Sequence, residues 1–401
     1  MIAIDILNKL NAPTKQERLE NLKEVLKTTQ FPPMVPQYIN NHIHTTYSFS
    51  PYSPTAAVYA ARMEGLCTAG IIDHDSISGA EEFLEAAKIV DMPVTIGMEA
   101  RISMEGTRLE GRRTNNPDQV GVSYMTIQGV PHNKIATLTE FFKPYQAARH
   151  ARNRRMIAKI NELVGVSLDY DKDVLPLSMA AENGGVTERH LMYALALELE
   201  KQVGRGQGMI DKLTSLGMNL SEKQKTLLLD TEYPFYAYDV LGMLKGTFVP
   251  KIFIDATDEC PKLADMVKLC KDVDAYLCYA YLGDVGDSVT GDKKAQKFED
   301  DYLEDVFECL KEEGVKAVTY MPTRNTPEQL ERLTALCKEH GFFQISGEDI
   351  NSPRQSFRCK ALDNPAFGHL IDATYTLIGY ETMASQDFAA AQEKYAHIFR
   401  K

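Results

Sequence analysis

The chain has 401 residues, 44% of them hydrophobic, enough to bury at least one large core, so disorder is not the starting expectation. Its 44 basic residues face 56 acidic ones, and the net charge of −12 repels nucleic acid and anionic membrane from most of the surface. No stretch approaches the roughly 18 to 20 apolar residues of a membrane span, the first residues lack a signal-peptide core, and seven scattered cysteines form no Cys-x-x-Cys pair, so a soluble cytoplasmic protein is expected.

Residues 1–30 carry a Lys-, Glu- and Leu-rich helical pattern that the proline-rich FPPMVPQ at 31–37 stops, so 1–37 reads as an N-terminal helical extension. From 38 to 140 strand-like runs alternate with helical ones: YINNHIH, a helix from Pro54 to Glu64, TAGIID, a helix from Ile77 to Val90, then VTIGMEARI and VSYMTIQGV. Strand, helix, strand at this spacing predicts an α/β fold with a parallel sheet or barrel. From 141 to 250, FFKPYQAARHARNRRMIAKINELVG, TERHLMYALALELEKQ and YDVLGMLKG are helix-periodic with no strand between them, which predicts a helical insertion. Over 251–401 the alternation returns through AYLCYAYLGD, FEDDYLEDVFECLKEEG, KAVTYM, PEQLERLTALCKEHG and GFFQISGED, and the barrel closes.

Four strand ends carry the chemistry. In Asn41-His42-Ile43-His44 the two imidazoles stand at i and i+2, hence on one side of an extended strand, as a shared metal needs. Alone, such a pair serves equally well as satisfied core histidines. Ile71-Ile72-Asp73-His74-Asp75 runs an apolar strand into three polar side chains, where barrels keep their chemistry; Asp73 and Asp75 are candidate catalytic groups, although both also suit helix capping. Val94-Thr95-Ile96-Gly97-Met98-Glu99 ends in a carboxylate whose burial is costly unless a cation neutralises it, and Ser346-Gly347-Glu348-Asp349 repeats that pattern near the C-terminus.

These motifs, in this order, resemble those of the PHP family of metal-dependent phosphoesterases, named for polymerase and histidinol phosphatase domains. The resemblance covers about 38–140 and 255–355. It implies a distorted barrel of seven βα units with one to three divalent metals (Mn, Zn or Fe, with Mg open) at the carboxyl ends of the strands. It also implies that His42, His44, Glu99 and Asp349 bind one ion, that Glu99 bridges to a second, and that His74 binds a third, with His132 as a further candidate ligand. Within the insertion, Thr187-Glu188-Arg189-His190-Leu191 resembles the helical insert of nucleoside-monophosphate phosphoesterases of this family. Arg189 and His190 are therefore candidate substrate contacts, while the same pattern suits an ordinary helix start.

Three positions depart from the family pattern: Phe49-Ser50, Asp349-Ile350-Asn351, and Ala280-Tyr281-Leu282-Gly283-Asp284. Each loses a nitrogen ligand of the second or third ion, whereas the set for the first is intact. Asp284, Glu348 and Asn351 could compensate, favouring harder cations such as Mn²⁺ or Mg²⁺. A divalent metal lowers the pKa of bound water and offsets charge on phosphoryl oxygens, so no protein nucleophile is required. Arg324 and Arg354, both following strand ends, are candidate phosphate clamps. The expected function is metal-dependent hydrolysis of a small phosphomonoester or nucleotide by activated water. A degenerate ligand-binding domain without turnover is the alternative, and a polymerase-associated role fits the acidic charge least.

Overall fold

The computed structural model describes residues 2–284 and 296–399. It opens with α1 (Ile4–Leu10) and α2 (Lys15–Leu26), broken from each other at Pro13 and restarted by a capping box in which Thr14 and Glu17 satisfy each other's backbone. The first barrel units follow: β1 (Val35–Ile43), α3 (Pro54–Met63), β2 (Leu66–His74), α4 (Ala80–Ile89), β3 (Val94–Ser103) and β4 (Val122–Gln128). The helical stretch holds α5 (Ile135–Val164), α6 (Glu188–Val203), α7 (Gln207–Ser215), α8 (Glu222–Leu229) and α9 (Tyr236–Ile252). The chain returns through α10 (Leu263–Asp272), β5 (Tyr276–Ala280), α11 (Leu303–Glu313), β6 (Ala317–Tyr320), α12 (Pro327–His340) and β7 (Phe343–Ser346), and ends in α13 (Gly368–Ala384) and α14 (Phe388–Phe399).

The strands form one seven-stranded sheet in sequence order. Every neighbouring pair is parallel except those of β4, which runs antiparallel to both β3 and β5. The sheet curls until Ile43 meets Ile350 in a parallel bridge, His44 N–H donating to the Ile350 carbonyl at 2.9 Å, so the barrel is nearly closed. Seven strands are present as the sequence implies, but the β3-to-β4 step lacks a helix and reverses direction. The strand β1 also starts earlier than the sequence suggests, inside the proline run, and an irregular register between Val35 and Ile39 accommodates Pro36.

The barrel core joins β1, β2 and β3 to α3, α4, α10 and α11, whereas α5, α6 and α9 bury a second apolar cluster that includes Met156, Leu195 and Leu244. Two helices unassigned from sequence, α10 and α13, complete the barrel unit. The latter packs against β1, β3 and β7. No helix among the described residues is long and apolar enough to cross a membrane.

Candidate metal centre

The last residues of β1 are tied to the turn after β7 by two asparagines. Asn40 Nδ2 donates to the carbonyls of Glu348 and Phe357, and its Oδ1 accepts the N–H groups of His42 and Glu348 at 3.0 Å each. Asn41 Nδ2 donates to the Ser346 carbonyl at 2.9 Å and to Thr374 Oγ1 of α13 at 2.7 Å. Gly347 lets the two segments touch, since a Cβ there would fall 2.6 Å from His42 Cβ. His42 and His44 therefore meet Asp349 although most of the sequence separates them.

In β2 and β3, His74 and Glu99 are register partners, which sets their side chains together. Glu99 Oε2 lies 3.1 Å from His74 Nδ1 and 3.8 Å from His42 Nε2, and Asp349 Oδ1 lies 3.1 Å from His44 Nε2. The donor atoms of His42, His44 and Asp349 all fall within 4.8 Å of one another, as do those of His44, His74 and Glu99. Donors about 2.0–2.2 Å from a shared ion stand about 3–4 Å apart, so these spacings fit a divalent cation. His44 supplies the second test of fit: it is 1% exposed, and its Nε2 has no well-aligned hydrogen-bond partner among the described residues despite its nearness to Asp349. A buried ring nitrogen left unsatisfied among carboxylates is an open ligand position.

Without an ion the cluster balances its own charge. Burial opposes the Asp349 charge, but the His44, His42 and His74 imidazoles outweigh it and hold that carboxyl well below the usual range. Burial likewise opposes the Glu99 charge, and His74, His42 and His44 again prevail. Burial opposes protonation of His44, yet Asp349, Glu99 and Asp73 raise it, whereas burial pushes His74 down to about 3 and leaves it neutral. Two ionised carboxylates beside a neutral imidazole are what a cation requires of its ligands.

Asp73 is fully hydrogen-bonded beneath the cluster, accepting from Thr45 N and Thr45 Oγ1 at 2.6 Å each and from Ser48 Oγ at 2.7 Å. Ser48 Oγ in turn lies 3.3 Å from His44 Nδ1. Asp73 thus orients His44 from behind and does not face the site as a catalytic group. Asp75 adopts a left-handed φ of 56° and pairs with Arg149 Nη2 at 2.9 Å. It lines a cleft together with His74, Arg101, Tyr124, Arg149, Arg189 and Lys245.

The sequence-predicted arginines separate. Arg189 lines the cleft, donating to the Asn351 carbonyl at 3.2 Å with its guanidinium over the Phe49 ring. His190 does not line it: its Nδ1 accepts the Thr187 N–H at 3.1 Å as an N-terminal cap, and burial lowers it to about 3. Arg324 sits near Asp349 and Glu299 with a buried Nη2 that has no hydrogen-bond partner among the described residues, its Nε donating to the Leu282 carbonyl. Arg354 is committed elsewhere, gripping Asp239 of α9 through Nε and Nη2 at 2.9 and 2.7 Å and stacking on Tyr233, so it is a clasp between the β7 side and the helical stretch.

His132 is displaced from the expected ligand set. Because β4 is antiparallel, Gln128 at its carboxyl end is level with Gly97 near the start of β3, which carries His132 to the opposite end of the barrel. There its Nε2 lies 3.0 Å from buried Glu381 Oε1, whose other oxygen accepts from Thr95 Oγ1 and Ile96 N. Of the proposed compensating groups, Asp284 and Glu348 turn away, whereas Asn351 stays beside the cluster as a donor to Asp349. Asp284 meets Phe298 N and Lys297, Glu348 meets Thr323 and Cys359, and Asn351 Nδ2 donates to Asp349 Oδ1 at 2.6 Å.

Sequence reading missed Arg149, Arg152 and Glu259. Arg101 binds Glu188 and Glu259 at 3.1 and 2.5 Å, Arg152 binds the same two at 2.8 and 3.3 Å, and all three arginines are buried. The signal was present in spacing, since Arg149, Arg152, Asn153, Met156, Ile157 and Ile160 share one buried face of α5.

A model of the PHP domain matches residues 40–315. The chain belongs to the PHP family. Error-prone DNA polymerases of Mycobacterium tuberculosis and Mycobacterium bovis are 33% identical to it over 96 residues, 23% of this chain and 8% of each polymerase, so the match spans a small part of those proteins. Two solved PHP-like folds superpose at a TM-score of 0.52 each. One, provisionally described as a metal-dependent phosphoesterase from Bifidobacterium adolescentis, is 17% identical and covers 85% of this chain and 98% of its own. The other, an amidohydrolase from Chromobacterium violaceum with bound sulfate, is 15% identical and covers 80% and 90%. At these identities the likeness is one of fold.

Proposed function

We propose that this PHP protein hydrolyses a small phosphomonoester or nucleotide in a divalent-metal-dependent reaction, in the cleft between the barrel mouth and the helical stretch. The observation that carries the reading is the unsatisfied Nε2 of His44 inside a cluster of imidazoles and carboxylates that opens beside cationic side chains. His42, His44, Glu99 and Asp349 would hold one ion, and Glu99 would share a second with His74. When bound, a divalent cation supplies Lewis acidity toward phosphoryl oxygens and a lowered pKa for water.

The chain's own residues would bind and orient the ester. The cleft that His74 and Asp75 line is the candidate place for it. Arg189 and Lys245 line it together with His74, and they are the candidate cations for an anionic phosphate, beside the Asp75, Asp118 and Glu188 carboxylates of the same lining. Arg324, on the Asp349 side, is the second candidate clamp. Asp75 lines the same cleft but its charge is already matched by Arg149, which suits a positioning role rather than proton transfer. The order of the PHP motifs and the likeness to a provisional metal-dependent phosphoesterase support the reaction class, and the substrate panel below is what tests the ester.

Elemental analysis of gently purified protein, paired with hydrolysis of nucleoside monophosphates, sugar phosphates and a chromogenic phosphate ester under added Mn²⁺, tests the proposal. Bound metal with chelator-sensitive turnover is expected. One ion or none with no turnover under any added cation would instead make the chain a binding domain that has lost its chemistry.

A further inference from the structure

The turn that carries His74 belongs to β2, yet the helical stretch holds it from several sides. Arg149 of α5 pairs with the Asp75 carboxylate at 2.9 Å. Gln146, one turn earlier on the same helix, donates through Nε2 to the Asp75 carbonyl at 2.8 Å and to the Asn183 carbonyl at 2.9 Å. Asn183 then accepts from Ser76 Oγ at 2.7 Å, and Gly185 N–H donates to the Tyr47 carbonyl at 2.7 Å. The contact at Gly185 is so close that a Cβ there would lie 2.1 Å from the His74 carbonyl oxygen. Asp75 is meanwhile held in the left-handed region, which is strained and persists only where surroundings over-determine it. Its N–H donates to the Glu99 carbonyl at 2.7 Å, so one turn links the grip to both side chains of the second ligand group.

From these contacts we infer that Gln146, Arg149 and Gly185 are positioning residues through which the helical stretch sets His74 against Glu99, so that docking of this stretch and affinity for the ion at His74 are coupled. This rests on the metal reading above. Of the first ion's ligands, His42, His44 and Asp349 are joined by Asn40, Asn41 and the Ile43–Ile350 bridge, none of which belongs to the helical stretch. The two ion positions share Glu99 but otherwise have separate supports, so weakening the grip on His74 falls mainly on one ion. Backbone partners that orient a ligand-bearing turn act as outer-shell groups do, where a lost partner lowers metal affinity about 10- to 100-fold.

The test uses the full chain as wild type, Gln146→Ala and Gly185→Ala. Arg149→Gln is a third variant, offered with less weight because it leaves Asp75, Glu188 and Glu259 short of a cation and can compromise folding. Mn²⁺ titration by calorimetry should show one ion weakened at least about tenfold in Gln146→Ala and Gly185→Ala, with the other unchanged within about twofold. Hydrogen exchange on the metal-free proteins should show faster exchange over residues 73–76 in both variants. Equal weakening of both ions, or unchanged affinities and unchanged exchange in variants that keep the wild-type circular dichroism, would overturn the inference. Absence of Mn²⁺ binding by the wild type would overturn the metal reading and the predicted affinity change with it, while the exchange result would still decide whether the helical stretch holds the turn.

Discussion

His44 Nε2 and Asp349 Oδ1 stand 3.1 Å apart without forming a hydrogen bond, and the same oxygen accepts from Asn351 Nδ2 at 2.6 Å. The pair is held by structure on either side: His44 by Ser48 and Asp73 through its other ring nitrogen, Asp349 by the turn that Gly347 allows against His42. Groups positioned this firmly without bonding each other are poised for a third party.

Replacing His44 by Ala should abolish binding of the ion it shares with His42 and Asp349 and lower turnover by about 10³-fold, since Lewis acidity is worth several kcal/mol in the transition state. Replacing Ser48 by Ala frees the His44 ring without removing a ligand, and should cost about tenfold in metal affinity. Metal content by mass spectrometry and turnover under Mn²⁺ are the measurements, and a His44→Ala protein that keeps its metal would defeat the assignment.

Arg189 and Arg354 should behave as opposites. Arg189→Ala removes a cation from the cleft and should raise KM about 10- to 100-fold, the worth of a charge-assisted hydrogen bond. Arg354→Ala should leave KM within about twofold and lower stability by about 1 kcal/mol or less, because its pair with Asp239 is 39% exposed on the arginine side. Steady-state kinetics on both variants, with denaturant unfolding of the second, separates the roles.

For His132 the expected effect is on stability alone. Glu381 is fully buried, and losing the Nε2 partner at 3.0 Å leaves one carboxylate oxygen unmet, at a cost of about 1–3 kcal/mol. Metal stoichiometry of His132→Ala should equal that of the wild type. A drop of one ion per chain would return His132 to the ligand set.

How far the sequence carried depended on whether a residue's role was local. His42, His44, His74, Glu99 and Asp349 sit at ends of strongly apolar strands, so their convergence was legible once a barrel was expected. His132 failed because nothing in VSYMTIQGV tells a parallel strand from an antiparallel one, and β4's direction alone decides which end of the barrel its carboxyl-terminal residues reach. Arg354 failed for a related reason: its partner Asp239 lies in α9, and pairing between segments so far apart in sequence leaves no mark near either residue. Arg149 and Arg152 were not singled out in the basic run ARHARNRR, although their register with Met156 and Ile160 places them on the buried face of α5. The helix α13 went unassigned, yet it supplies Thr374 to Asn41 and Glu381 to His132, contacts that exist only in three dimensions.

Glu299 gives a prediction on pH. It is fully buried at the carboxyl end of β5, with Oε1 accepting the N–H groups of Leu282 and Gly283. Burial pushes its carboxyl up to about 7, against the help of those two N–H donors. A carboxyl whose folded pKa is raised binds more protons folded than unfolded between its ordinary value near 4.5 and about 7, so its contribution to stability is fully present below that window and is lost as pH rises through it. By pH 8 the loss should reach about 3 kcal/mol at 1.36 kcal/mol per unit. Glu299→Gln keeps an acceptor for both N–H groups and cannot ionise, so it should gain on the wild type by about that amount between pH 5 and pH 8. Urea unfolding of the two proteins at both pH values measures the difference, and a gap that does not widen with pH would show that Glu299 ionises freely in the folded chain.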